Sequence, residues 1–258
     1  MRIRRLMPGS RLAARLRPHG PTNLSRRCTR QWIVAAVAFG LVAVCCSVTL
    51  WAHGVSNRDA AFVRGVTGPA PAPFMYLGAK HMVTGYDHLL FLVGVIFFLH
   101  RTRDVVKYVS LFTLGHSVTL VVGVLTHVPA NAFLIDAIIG LSVVYKGFEN
   151  IGGFDRVVGY RPDARAAVLV FGLFHGLGLA TKLQELGLPP RGLLANLLSF
   201  NAGVEMGQVL ALMGVLVAFT YWRTRPGFLR YAFATNTSLM AGGFALLGYQ
   251  LVGYVVNR

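Results

Sequence analysis

The sequence predicts an all-α fold: a polytopic transmembrane helix bundle of six core helices plus an N-terminal signal or anchor helix. The first observation behind this is composition. Of 258 residues, 55% are hydrophobic and 13% charged, and the mean hydropathy is +0.58, far too apolar for a water-soluble domain of this length. The second is spacing, since apolar runs of about 20 residues, the length that spans a bilayer, follow one another with short connections and leave nothing over for a soluble domain. The third is the placement of charge. A net charge of +16 would suggest nucleic-acid binding in a soluble chain, but here Lys and Arg fall between the apolar runs, which excludes nucleic acid as the partner. Cys28, Cys45 and Cys46 show neither CxxC nor metal-ligand spacing, so no disulfide framework or thiolate metal site is expected.

Residues 1–52 come first, as an Arg-rich lead and a signal peptide or signal anchor. The first 31 residues hold nine arginines and no acid, and an uncharged run from Trp32 to Ala52 follows. That run is long enough to span, yet Leu50-Trp51-Ala52 before His53 also resembles a small-residue cleavage site. In either case the positive-inside bias keeps the amino end cytoplasmic before any cleavage and places His53 outside, in a periplasm. Residues 53–73 contain Gly65, Gly68, Pro69, Pro71 and Pro73 and read as an external linker. Residues 74–258 form the membrane domain. Its six spans are expected near Phe74 to Leu99, Val105 to Thr126, Ala132 to Phe148, Ala166 to Leu186, Leu193 to Trp222 and Tyr231 to Val256. The inside loops then carry Arg101, Arg103 and Lys107, next Arg156, Arg161 and Arg165, and last Arg223, Arg225 and Arg230. The outside connections after the linker carry only Arg191, so the bias agrees at every loop. The expected location is the inner, cytoplasmic membrane of a bacterium.

Ionisable groups inside apolar spans are expensive and usually functional, and this chain has many. The first core span holds His81, Asp87 and His88; the next holds His116 and Ser117; the next Asp136, Glu149 and Asn150; then come His175 and a span with Asn201, Glu205 and Gln208. At about 1.5 Å per residue, His88, His116, His175 and Glu205 all lie roughly 15–21 Å from the outer ends of their spans. That is near the middle of a ~30 Å core. His81 and His88 are seven apart, so both lie on one helical face with His81 about two turns nearer the outside, a path leading inward. Asn201, Glu205 and Gln208 share another face at i, i+4 and i+7. Imidazoles with carboxylates suit nickel, cobalt, copper or zinc, whereas oxygen alone favours magnesium or calcium. Asp87 serves either as a ligand or as the acceptor that orients His116 or His175. Asp136 serves either as an outer-end cap after Asn131 or as part of the path. Lys80 and Lys146 snorkel or pair with acids.

Gly85, Gly115, Gly172, Gly176, Gly178, Gly203 and Gly207 cluster beside these polar groups and permit close helix approach, with Gly203 and Gly207 in GxxxG-like spacing. Phe112-x-Leu114-x-His116 and Phe171-x-Leu173-x-His175 echo one another on two spans of the same direction. The last span, with Asn236, Thr237, Ser238 and Gln250, reads as completing the bundle.

The chain resembles the HupE/UreJ family of bacterial membrane proteins over about residues 74 to 255. The resemblance rests, in order, on His81-x5-Asp87-His88-Leu-Leu-Phe, Phe112-Thr-Leu-Gly-His116-Ser117, Glu149-Asn150, Phe171-Gly-Leu-Phe-His175-Gly and Phe200-Asn201-x-Gly-Val-Glu205-x-Gly-Gln208. Members are associated with hydrogenase and urease gene clusters. The resemblance therefore implies permeation of nickel or a similar divalent ion, with the first motif as the metal-binding element, and a cleaved export signal is common in the family.

The expected function is transport of a divalent transition-metal ion, nickel first, with cobalt, copper or zinc as alternatives. The expected ligands are His81, Asp87, His88, His116, His175 and Glu205, supported by Ser117, Glu149, Asn150, Asn201 and Gln208. His81 captures the ion outside, the mid-depth groups bind it, and Glu149 helps release it. No GxxxxGK[ST] nucleotide motif occurs, so the driving force is a gradient, the membrane potential or proton exchange. A metalloenzyme or its maturation machinery is a further expected partner beside the lipid bilayer. Two alternatives are an intramembrane metal-dependent hydrolase, with an open position on the metal and Asp87 or Glu205 as base, and a structural membrane partner of a metalloenzyme complex. A transporter is expected rather than an enzyme.

Overall fold

The computed structural model describes residues 57–188 and 190–257; the Arg-rich lead and the apolar run after it lie outside the described residues. Among the described residues the chain is helical throughout, without strands. The helices are α1 (Asn57–Gly65), α2 (Pro71–Thr84), α3 (Tyr86–Ile96), α4 (Thr102–Thr126), α5 (Ala132–Asn150), α6 (Ala164–Glu185), α7 (Leu193–Arg223) and α8 (Phe228–Val256), with one π-helical turn at Phe154–Val158 between α5 and α6. The linker thus contains a short helix, α1, whose Asp59 pairs with Lys80 of α2 at 2.7 Å.

Local chemistry sets the helix ends. Pro71 opens α2, where its missing N–H costs nothing. Asn131, rather than Asp136, caps α5 by accepting the N–H of Leu134 at 3.2 Å. Asp163 caps α6 by accepting the N–H groups of Arg165 and Ala166, and those two bonds hold its carboxyl below the ordinary 3.8. Its contribution is therefore complete above that ordinary value and disappears as pH falls through the lowered one. His127 ends α4 in the left-handed region, with φ 51°.

Four helices, α4, α6, α7 and α8, are each long and apolar enough to cross a membrane. The expected span Phe74 to Leu99 is not one helix: it breaks at Gly85, whose φ of −79° and ψ of 92° are extended, into α2 and α3. Helix α5 has 19 residues but carries Asp136, Lys146 and Glu149. Those charges are neutralised inside the protein, Lys146 by Glu149 at 2.6 Å and Asp136 by Lys182 of α6 at 2.9 Å.

The helices pack in three intimate pairs, α4 on α6, α2 on α7 and α5 on α8. Glycines set each approach. A Cβ at Gly172 or Gly176 would collide with the carbonyls of Phe112 or His116, one at Gly203 with the carbonyl of Met75, and one at Gly140 with the backbone of Leu247. In the first two pairs the contacting residue numbers rise together, so the helices are parallel; in the third they run oppositely. These relative directions are the ones the expected alternation of spans requires. Arg223, near the end of α7, donates to the carbonyls of Ile96 and Phe97 at 2.7 Å each. Asn150, at the end of α5, donates to the Gly94 carbonyl. The connections holding the three sets of basic residues thus lie at one end of the bundle.

Replacing Gly203 with Ala is expected to cost about 1–3 kcal/mol through overpacking, read as a lower melting temperature in detergent. Gly214→Ala, where a Cβ meets nothing within 4 Å, is expected to be neutral or to gain up to about 1 kcal/mol from the better helix former.

Candidate metal centre

Helix α3 is the shortest apolar helix and the most enclosed, touching α2, α4, α5, α7 and α8. The break at Gly85 starts it inside the protein, so its first turn delivers Asp87 and His88 to the interior, where they are 6% and 3% exposed. Asp87 accepts through one oxygen from the backbone N–H of His88 at 2.9 Å and from its ring Nδ1 at 2.8 Å. A carboxylate in the first turn also suits the positive end of the helix.

Around the His88 ring stand three other imidazoles. His175 of α6 lies 4.8 Å away between ring centroids, His81 of α2 5.2 Å and His116 of α4 5.9 Å. His116 and His175 are 1% and 0% exposed. Their convergence follows from the parallel glycine-lined packing of α4 and α6, which sets the two Phe-x-Leu-x-His segments side by side. Phe112 packs against His88, His116 and His175, and Phe91 against His175 and Phe171, so an aromatic wall closes the cluster.

The hydrogen bonds define which nitrogens are left over. His175 Nδ1 lies 2.7 Å from the Phe171 carbonyl, which only accepts. In the neutral ring that places the proton on Nδ1 and the lone pair on Nε2. The Asp87 contact does the same for His88. Nε2 of His88, Nε2 of His175 and both ring nitrogens of His116 are buried without a hydrogen-bond partner among the described residues. Buried acceptors in an apolar interior need a donor or a cation. Among the described residues, however, no three His, Cys, Asp or Glu side chains are already arranged to hold a metal ion.

The structure thus brings together His81, Asp87, His88, His116 and His175. His81 is not two turns nearer the outside, because the break at Gly85 folds the chain so that its ring sits beside His88. Glu205 is not brought into this cluster. Gly203 and Gly207 press α7 onto α2, which leaves the far face of α7, Asn201, Glu205 and Gln208, toward α4. There it lines a cleft of about 460 Å³ with Thr113 and Ser117. Ser117 and Asn201 hydrogen-bond across the cleft at 2.8 Å, as do Thr113 and Gln208.

Glu149 is buried and bound to Lys146, with Arg161 3.7 Å away, and Asn150 bridges the Gly94 carbonyl and Asn236. These ties lock α3, α5 and α8 together. The sequence reading missed three participants: Gly85 as a break, Thr113 across from Gln208, and the last helix as a source of buried partners, since Asn236 bonds Asn150 and Gln250 bonds Asp136. The i, i+4 spacing of Thr113 and Ser117 was the available signal for the second.

A family model described as HupE / UreJ protein matches residues 57–258, the whole described region. No curated protein and no solved structure matches the chain.

Proposed function

The chain belongs to the HupE/UreJ family of membrane proteins, a family tied to nickel or cobalt uptake and to urease or hydrogenase accessory work; from that premise we propose that it carries a divalent transition-metal ion through the imidazole cluster. One observation carries this reading: Nε2 of His88, both nitrogens of His116 and Nε2 of His175 are buried together without hydrogen-bond partners among the described residues.

Neutral imidazole nitrogens select a first-row transition ion over magnesium or calcium, and nickel heads the list, followed by cobalt, copper and zinc. Asp87 and the Phe171 carbonyl fix two of the rings by their Nδ1 protons, the usual arrangement behind a metal-binding histidine. His81 and His88 sit on different half-helices, so a small bend at Gly85 changes their separation. Ligands that close on the ion only when the rings turn suit cargo that must also leave, since conduction needs binding weak enough for release. In this reading residues 1–52 export or anchor the chain, the basic end of the bundle faces the cytoplasm of a bacterium, and the released ion goes to a metalloenzyme or its maturation machinery.

Cells expressing the full chain are expected to accumulate nickel-63 or cobalt-57 above the level of cells lacking it, and cells expressing His116→Ala are expected to fall back to background. Equal accumulation with and without the chain, for every ion named, overturns the transport reading.

A further inference from the structure

We propose that the cleft between α4 and α7 is a second cation site, built of oxygen donors around Glu205 and suited to a hard monovalent cation such as sodium. It is chemically distinct from the imidazole cluster and stands whatever that cluster carries.

Glu205 lies well inside α7, a helix of 31 residues, and is exposed on the side of the bundle that faces the cleft. Three buried acids have partners: Asp87 has His88, Asp136 has Lys182 and Glu149 has Lys146. Glu205 has no cationic partner among the described residues. A carboxylate at this depth of a membrane is costly without a counter-charge and marks an ion pathway by default. A single positive charge balances it; a divalent ion would leave the cleft with a net charge in a medium that penalises one.

The donor set agrees with the charge count. Thr113 and Ser117 offer hydroxyls, Asn201 and Gln208 offer amide oxygens and Glu205 a carboxylate, with no imidazole or thiolate lining the cleft. Oxygen donors suit hard cations and leave transition ions to the histidines. The amides are also nearly set for such an ion. Asn201 donates its nitrogen to Ser117 at 2.8 Å and accepts the Ser117 hydroxyl on its oxygen at 3.1 Å, which leaves that oxygen one further lone pair.

Gln208 is 2% exposed and its Nε2 has no partner among the described residues. Thr113 has one hydroxyl proton and two acceptors in reach, the Val109 carbonyl at 3.0 Å and Gln208 Oε1 at 2.8 Å. A half-turn of the Gln208 amide lets Nε2 donate to Thr113 while Thr113 donates to Val109. That satisfies the orphaned nitrogen and leaves Oε1 of Gln208, which lines the cleft together with Glu205, as the atom without a partner. An amide oxygen left without a partner there is an acceptor that a bound cation would satisfy.

The test is binding of sodium-22 to the purified full chain by scintillation proximity, with choline holding the ionic strength constant. Saturable sodium binding is expected in the wild type, loss of it in Glu205→Gln, and about tenfold weaker binding in Asn201→Ala. Glu205→Gln keeps the side chain's size, and its melting temperature without sodium is expected to match that of the wild type. Sodium is then expected to raise the wild-type melting temperature and not that of the variant, so a folding defect is separated from a lost site. No saturable sodium binding in the wild type, or binding and stabilisation equal in Glu205→Gln, overturns the proposal.

Discussion

His88→Ala is expected to weaken metal binding by more than about 100-fold, because loss of a mere supporting partner of a ligand already costs about 10–100-fold. His88 occupies the centre of the cluster: its ring neighbours those of His81, His116 and His175, and its Nδ1 is held by Asp87 at 2.8 Å. Alanine there removes the ring that the other three imidazoles share as a neighbour and leaves Asp87 without its ring partner. Asp87→Ala is the graded companion, expected to fall within the 10–100-fold range by freeing the ring to rotate. Titration calorimetry with nickel on the purified variants reads both effects. Wild-type affinity in His88→Ala would remove the cluster from the account.

Gly85→Ala is expected to have the second largest effect, a loss of about 10–100-fold in metal affinity, although the backbone there, with φ −79°, is open to alanine. The obstacle is space. A Cβ would stand 2.9 Å from the His81 carbonyl, 3.1 Å from His88 Nδ1 and 3.2 Å from Asp87 Oδ1. Something must shift, and each candidate belongs to the cluster or to the break that forms it. The melting temperature is expected to drop by less than it does in Gly203→Ala, where the whole α2–α7 contact must separate. An affinity unchanged from wild type would mean that the break has no part in positioning the rings.

Polar residues in apolar spans were the most legible part of the site. Counting depth along each helix brought His88, His116 and His175 to one level, and the structure sets them around one another. The relative directions of the helices also followed from the alternation of basic loops. Depth counting gives height along a helix but not the direction a residue faces around it, and Glu205 shows the difference: Gly203 and Gly207 pack against α2 and Glu205 lines the cleft beside α4 instead of joining the histidines.

The position of His81 was lost for another reason. A glycine inside a membrane helix is ordinarily tolerated without a break, so nothing in the local sequence distinguished Gly85 from the glycines that pack helices together. Asn236 and Gln250 looked bland because their partners, Asn150 and Asp136, are 86 and 114 residues away. Asp136 itself competed with Asn131 for the cap, and the Lys182 ammonium, 46 positions on, decided its role.

The most direct test of the central claim is metal content by mass spectrometry on detergent-purified full chain after exposure to nickel, cobalt, copper, zinc and iron in turn, with the His88→Ala, His116→Ala, His175→Ala triple variant beside it. One divalent transition ion retained by the wild type and absent from a triple variant that still elutes as a folded, monodisperse species is the expected result. Equal metal content in the two proteins, or none in either, would contradict the assignment of the imidazole cluster as the metal centre.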